Sequence, residues 1–163
     1  MAEKGSKMSM ELWILSDRKL NSIAEWQAAV DAEKYPLKLS EEASIENLKG
    51  FLPSRLRGEL TGFECYHDNA GELMRNNPGV NFGHQWTQAL SLRWLGSNEN
   101  EALAAWMAGT AYARATDGIV ANDQDNKLRT AAQSAEVVHD IEHPSQAYEE
   151  ARRALRMRRG LEL

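Results

Sequence analysis

The sequence has little of what covalently reinforced or membrane-spanning proteins need. Its 163 residues include a single cysteine, Cys65, so no intrachain disulfide can form and a disulfide-stapled secreted scaffold is excluded. The lone thiol predicts a reducing compartment, and we expect a cytoplasmic protein. No apolar run reaches the ~18 residues that span a bilayer. Residues 1–10 are polar, and we expect them to be a flexible lead without the apolar stretch of a signal peptide.

Recognisable catalytic and metal-binding motifs are also missing. The chain has no glycine-rich phosphate loop, no nucleophile elbow and no metalloprotease helix. The acidic segment 122–127 resembles a calcium loop, but Lys127 occupies a ligand position and Ser134 the twelfth position, where calcium loops carry a glutamate. We therefore predict no metal and no cofactor, and we favour a protein that is not an enzyme.

One cluster keeps an alternative open. Cys65 and His67 lie two residues apart on a predicted strand and so point to the same side, as a metal site or a nucleophile–base pair would require. With His84 they are the centre of the alternative hypothesis, a small-ligand-binding domain or an enzyme with a dispersed site. A zinc site needs three or four protein ligands, and free cysteine is among the most buried residue types. A buried, structural Cys65 is the favoured interpretation.

Charge is unevenly distributed along the chain. Residues 1–150 carry 14 basic and 23 acidic side chains, a net of −9, whereas the last 13 residues carry five arginines and one glutamate, a net of +4. An acidic body disfavours nucleic acid and membrane surfaces and attracts basic partners. The favoured interpretation is that this charge keeps the protein soluble. The alternative is that it serves in binding, in which case the predicted partner is a basic protein.

Hydrophobic periodicity predicts a single α+β domain over 11–142. We expect a mixed or antiparallel sheet with helices packed mainly on one of its faces. The opening is predicted to be β-α-β, and residues 50–58 to be a loop-rich connection because they contain Gly50, Pro53 and Gly58. The predicted strands are 11–16, 36–39, 60–67, 85–95 and 118–121, and the predicted helices are 22–33, 99–116 and 130–141.

Two sets of side chains are candidates for partner binding. The first is acidic, and we expect its members to contribute to one acidic surface: Asp31, Glu33, Glu64 and Asp68. The second is aromatic: alternation over 86–95 puts Trp86 and Trp94 on one strand face, which binds a partner if no helix covers it. Coverage by a helix is the favoured interpretation.

The C-terminal segment 143–163 is predicted to be a basic helix. Tyr148, Ala151 and Leu155 are expected to dock on the domain while the arginines face water. The arginines leave three interpretations open, namely a solvated face, pairing with the acidic body of the same chain, or self-association into a homodimer.

Several stretches resemble small bacterial α+β proteins of largely unassigned function, some of which serve as immunity partners of secreted toxins. They are Glu-Leu-Trp-Ile-Leu-Ser-Asp at 11–17, Ser-Ile-Ala-Glu-Trp-Gln at 22–27, Pro-Leu-Lys-Leu at 36–39 and Ala-Arg-Ala-Thr-Asp-Gly-Ile-Val at 113–120. The resemblance implies a ferredoxin-like or related sheet and a protein partner, and it supplies no site residues. The leading hypothesis is a cytoplasmic interaction module, such as an immunity protein that neutralises a toxin by covering its active site.

Overall fold

The computed structural model describes residues 9–159, and the predicted lead lies outside the described residues except for its last two positions, which belong to the first strand. Residues 9–159 form seven strands, five α-helices and one short 3-10 helix, Ile45–Asn47. The strands are β1 (Ser9–Ser16), β2 (Leu37–Leu39), β3 (Lys49–Leu56), β4 (Glu59–Asp68), β5 (Gln88–Leu95), β6 (Ile119–Asn122) and β7 (Leu128–Arg129). The helices are α1 (Ile23–Ala32), α2 (Ala70–Arg75), α3 (Glu99–Thr116), α4 (Ala131–Glu142) and α5 (Pro144–Arg159).

The strands form one sheet in the order β2-β3-β4-β5-β1-β6-β7, and every neighbouring pair is antiparallel. The predicted α+β class with an antiparallel sheet is confirmed, as is the β-α-β order of the opening elements. β1 lies inside the sheet between β5 and β6, and residues 12–16 are buried on both faces, as expected of an unbroken apolar strand. None of the described helices is long and apolar enough to cross a membrane.

Helices α1, α3 and α4 cover one face of the sheet, and this helix side holds the main core. Trp26 of α1 is fully buried there, and its indole Nε1 donates a hydrogen bond of 3.0 Å to the carbonyl of Ala108. The alanine-rich α3 lies close to the sheet, as its composition predicts. A Cβ atom at Gly109 would approach Ile14 to 3.3 Å, so the sheet leaves little room at that position.

The prediction of a loop over 50–58 is wrong, because these residues form β3 and the turn into β4. Leu52, Ser54 and Leu56 alternate toward the core. Pro53 is tolerated because its carbonyl accepts a hydrogen bond from the Ser40 amide, so its missing N–H faces the end of the short β2 and not β4. Gly50 and Pro53 disfavour a strand in the sequence, but the alternating burial along β3 shows that these residues belong to one.

The basic C-terminal helix is present as α5, but its predicted docking on the domain is wrong. α5 makes few contacts, chiefly with the adjoining α4, and its residues Tyr148, Ala151 and Leu155 are exposed. His143, the single residue between the two helices, has a non-helical backbone (φ −129°, ψ 63°) that redirects the chain. The apolar stripe of α5 therefore has no cover from the described part of its own chain.

The two residues that follow α3, Asp117 and Gly118, have different structural roles. The left-handed position is Asp117 (φ 60°), whereas Gly118 is required by close approach to β1. A Cβ at Gly118 would lie 2.3 Å from the carbonyl oxygen of Leu15. Glycine is thus needed at position 118 for space.

We predict that Gly118→Ala lowers the free energy of unfolding by about 1–3 kcal/mol, because the added methyl group forces β6 away from β1. Urea unfolding monitored by circular dichroism measures the loss. Gly79→Ala is the matched control, since a Cβ there meets nothing within 4 Å. Equal effects of the two substitutions would contradict the close approach.

Candidate functional site

The side of the sheet away from the main core is only partly covered. There α2 and the loop 76–87 pack over β1 and β6 through a second cluster that contains Trp13, Leu15, Phe82 and Ala121. Over β3, β4 and the end of β5 no described element lies on this side. We call this region the open sheet face; its large side chains are Lys49, Phe51, Pro53, Arg55, Leu60, Glu64, Tyr66, Asp68, Arg93 and Leu95.

Apolar side chains are exposed on the open sheet face. Phe51 is 57% exposed, Leu60 70% and Leu95 46%. Phe51 is held in place by a glycine on the neighbouring strand: a Cβ at Gly62 would lie 2.5 Å from the ring atom Cζ. The aromatic ring therefore covers the backbone of Gly62, which fixes the ring position and leaves its outer side in solvent.

Beside these apolar groups, charged side chains form a cross-strand network. Arg93 is opposite Glu64 in the register of β4 with β5, its Nη2 lies 3.3 Å from Glu11 Oε2, and its guanidinium sits 5.6 Å from the centre of the Tyr66 ring. The Tyr66 hydroxyl donates to Glu64 Oε1 at 2.6 Å, and this hydrogen bond raises the pKa of Tyr66. Partial burial opposes the charge of Arg93, but the Glu11 and Glu64 carboxylates raise its pKa overall. These contacts hold the charged and aromatic side chains of neighbouring strands against one another.

A cleft crosses one end of the open sheet face. Its volume is about 210 Å³, and its walls include Phe51 and Leu95 as apolar groups and Glu64, Arg93 and Glu101 as charged groups. Glu101 lies in the first turn of α3 and accepts a hydrogen bond from the Leu95 amide at 3.2 Å. The cleft thus offers apolar contacts beside two carboxylates and one guanidinium, the chemistry that suits an apolar side chain next to a charged one.

The structure does not bring the four predicted acidic residues together. Glu64 and Asp68 lie on the open sheet face, where Asp68 accepts a hydrogen bond from Ser91. Asp31 and Glu33 lie at the end of α1 on the opposite side of the sheet, and Glu33 pairs with Arg114 of α3. The four carboxylates therefore do not form one acidic surface.

The prediction that Trp86 and Trp94 share a strand face is wrong, because β5 begins only at Gln88. Trp94 is buried in the core on the helix side, which agrees with coverage by a helix. Trp86 lies in the preceding loop on the other side of the sheet, where its Nε1 donates to the Phe82 carbonyl at 3.1 Å. Alternation fails at this point because residue 86 is not part of the strand.

The alternative cluster of Cys65, His67 and His84 does not converge. Cys65 is fully buried on the helix side, and burial, helped by the Asp68 carboxylate, raises the pKa of its thiol far above the usual range. His67 contacts the Ile45 carbonyl at 2.6 Å, whereas His84 pairs with Asp17 at 2.7 Å. Within residues 9–159 no group of three or more histidine, cysteine or carboxylate side chains is placed to hold a metal ion. The geometry therefore provides no reactive thiol.

Sequence reasoning missed the apolar part of the open sheet face. Phe51 lay in the segment interpreted as a loop, and Leu60 and Leu95 stood at the ends of predicted strands. The signal in the sequence is the spacing of Leu52 and Leu56, which lie on one side of an extended strand and so place Phe51 and Pro53 on the other side. Comparison with family models, curated proteins and solved structures yields no match to this chain. The resemblance to immunity partners therefore stays a prediction.

We predict that Cys65 does not react with a thiol reagent in the folded protein at neutral pH, because it is inaccessible and stays protonated. Labelling with Ellman's reagent, followed with and without denaturing urea, measures this. Complete reaction is expected only in urea. Rapid labelling of the native chain would contradict the buried geometry.

A second prediction concerns Asp17, whose pKa is lowered by hydrogen bonds, first from His84 and then from Thr87, against the opposing effect of desolvation. A depressed carboxylate pKa stabilises the fold above the unfolded value near 3.8, and this contribution disappears as the pH falls through the folded value. Asp17→Asn should therefore lower the melting temperature at about pH 5, with a difference from wild type that vanishes near pH 2. A difference independent of pH would contradict this role.

Proposed function

We propose that this chain is a protein-interaction module that acts by contact, and that its contact surface is the open sheet face. The observation that carries the proposal is the exposure of Phe51, Leu60 and Leu95 on adjoining strands without a covering helix. Soluble domains seldom leave neighbouring large apolar side chains in solvent unless they serve in binding. The pre-positioned Arg93 network beside them supplies polar contacts that give such a surface specificity.

The partner is a protein with a basic segment. Residues 9–143 carry 12 basic and 20 acidic side chains, a net of −8, and the cleft at the end of the open sheet face has Glu64 and Glu101 in its walls. A basic segment gains from this field both in approach rate and in local pairing. In its most specific form, which also rests on the resemblance to immunity partners, the proposal is a cytoplasmic immunity protein that neutralises a basic toxin by covering its active site.

The test compares two double variants that add the same charge. Phe51→Asp with Leu95→Asp disrupts the open sheet face, and Ala28→Asp with Ala132→Asp is the control on exposed positions of α1 and α4. A partner isolated with the full chain from its source cells is purified, and its Kd for each form is measured. We expect the first variant to weaken binding at least about tenfold and the control to leave it unchanged, since central apolar contacts dominate interfaces.

Two results would overturn the proposal at different levels. A partner that binds the open-face variant as tightly as wild type would remove the open sheet face as the contact surface. A partner whose activity persists when it is saturated with this chain would remove the immunity role and leave the interaction module. Circular dichroism of both variants ensures that a loss of binding does not reflect unfolding.

A further inference from the structure

The exposed large apolar side chains of the described chain fall into two groups. One group is Phe51, Leu60 and Leu95 on the open sheet face, and the other is on α5. There Tyr148, 63% exposed, and Leu155, 38% exposed, share one side of the helix, whereas Met157 is on the opposite side. Both patches are uncovered in the described part of the chain, so the patch of one copy can cover the other patch of a second copy.

The charge of α5 is opposite to that of the body and of the cleft. The segment 144–159 contains five arginines and two glutamates, a net of +3, against −8 for residues 9–143. At the cleft, Glu64, Glu101 and the adjacent Glu11 outnumber Arg93, while Lys49 and Arg55 lie elsewhere on the open sheet face. At 3.6 residues per turn, Tyr148, Ala151 and Leu155 form one stripe, with Arg156 and Arg158 on its two flanks. The cleft on the open sheet face has the reciprocal arrangement, with Phe51 and Leu95 between Glu64 and Glu101.

We propose that α5 of one copy binds the open sheet face of a second copy, and that the reciprocal contact closes a homodimer. The inference rests on the proposed function, because it names an occupant for the same surface. Leu155 and Tyr148 pack against Phe51 and Leu95, and the flanking arginines pair with Glu64 and Glu101. The second copy's helix is thus a basic, amphipathic partner of the kind the cleft suits.

The fold favours a second copy over the same chain. α5 begins one residue after α4, and α4 packs on α3 on the helix side of the sheet. The open sheet face lies on the opposite side, and the cleft is lined by residues of β1, β3, β4, β5 and α3 and by none of α5. A two-fold dimer instead uses both patches of both copies, which is the closed arrangement most homo-oligomers adopt.

The expected affinity follows from size. A 16-residue helix is about 24 Å long and about 10 Å wide, so it covers roughly 250 Å² of its target. Two reciprocal contacts, counted on both surfaces, bury roughly 1,000 Å², at the lower limit for a specific interface. We therefore expect a dimer with a Kd in the micromolar range, weakened by salt because arginine–carboxylate pairs contribute.

Analytical ultracentrifugation of the full chain from about 1 µM to about 200 µM tests the proposal. Wild type should pass from monomer to dimer over this range at about 0.05 M salt and remain mostly monomeric at about 0.5 M. Arg156→Glu with Arg158→Glu should give a monomer, and so should Glu64→Arg with Glu101→Arg. An equimolar mixture of these two variants should dimerise, because each contact again joins opposite charges.

A wild-type chain that stays monomeric at the highest concentration overturns the dimer, and so does a dimer that both variants retain. Partner binding by the full-length Phe51→Asp/Leu95→Asp chain separates this failure from that of the proposed function. A monomeric wild type whose partner binding these substitutions weaken overturns the dimer and still supports the open sheet face. A monomeric wild type whose partner binding they leave unchanged overturns both.

Discussion

The seven-stranded sheet has two faces, and the helices of residues 9–159 cover only one of them completely. β1 enforces the arrangement, because its pairing with β5 and β6 places it inside the sheet and its residues 12–16 are buried on both sides. The helices α1, α3 and α4 satisfy one face. The short α2 and the loop 76–87 cover the other face only over β1 and β6, so the surface of β3 and β4 is left to solvent. The candidate interface is a consequence of this shortfall.

The sequence predicted the elements whose local signals agree with their burial. Thr130 and Gln133 form a complete capping box at the start of α4, and the Asn98 side chain caps α3. At the start of α1 the capping box is incomplete: Ser22 accepts a hydrogen bond from the Glu25 amide, but the Glu25 carboxylate accepts one from the Asn21 amide, one residue before the N-cap. These features are local, and a single turn of chain determines them.

The rest depends on contacts between distant residues, which local patterns do not contain. Pro53 is typical of a strand break, and only the end of β2 at Leu39 explains why it fits β3. Gly62 falls inside a predicted strand, but no local pattern shows that the Phe51 ring covers it. The charge pattern likewise predicted an acidic body without predicting its geometry. Asp31 and Glu64 are both acidic, yet the sheet separates them. Net charge predicts only a preference for basic groups, whereas the topology is needed to locate each carboxylate on the surface.

In the proposed dimer the open sheet face and the apolar stripe of α5 are the two halves of one interface. Methyl NMR of the full chain across concentration tests this directly, since Leu60 and Leu95 carry methyl groups on the open sheet face and Leu155 carries them on the stripe. We expect methyl signals from both patches to shift together with a single Kd, while those of the core residues Leu12 and Ile14 stay fixed. Shifts confined to α5, or no shifts on the open sheet face, would contradict it.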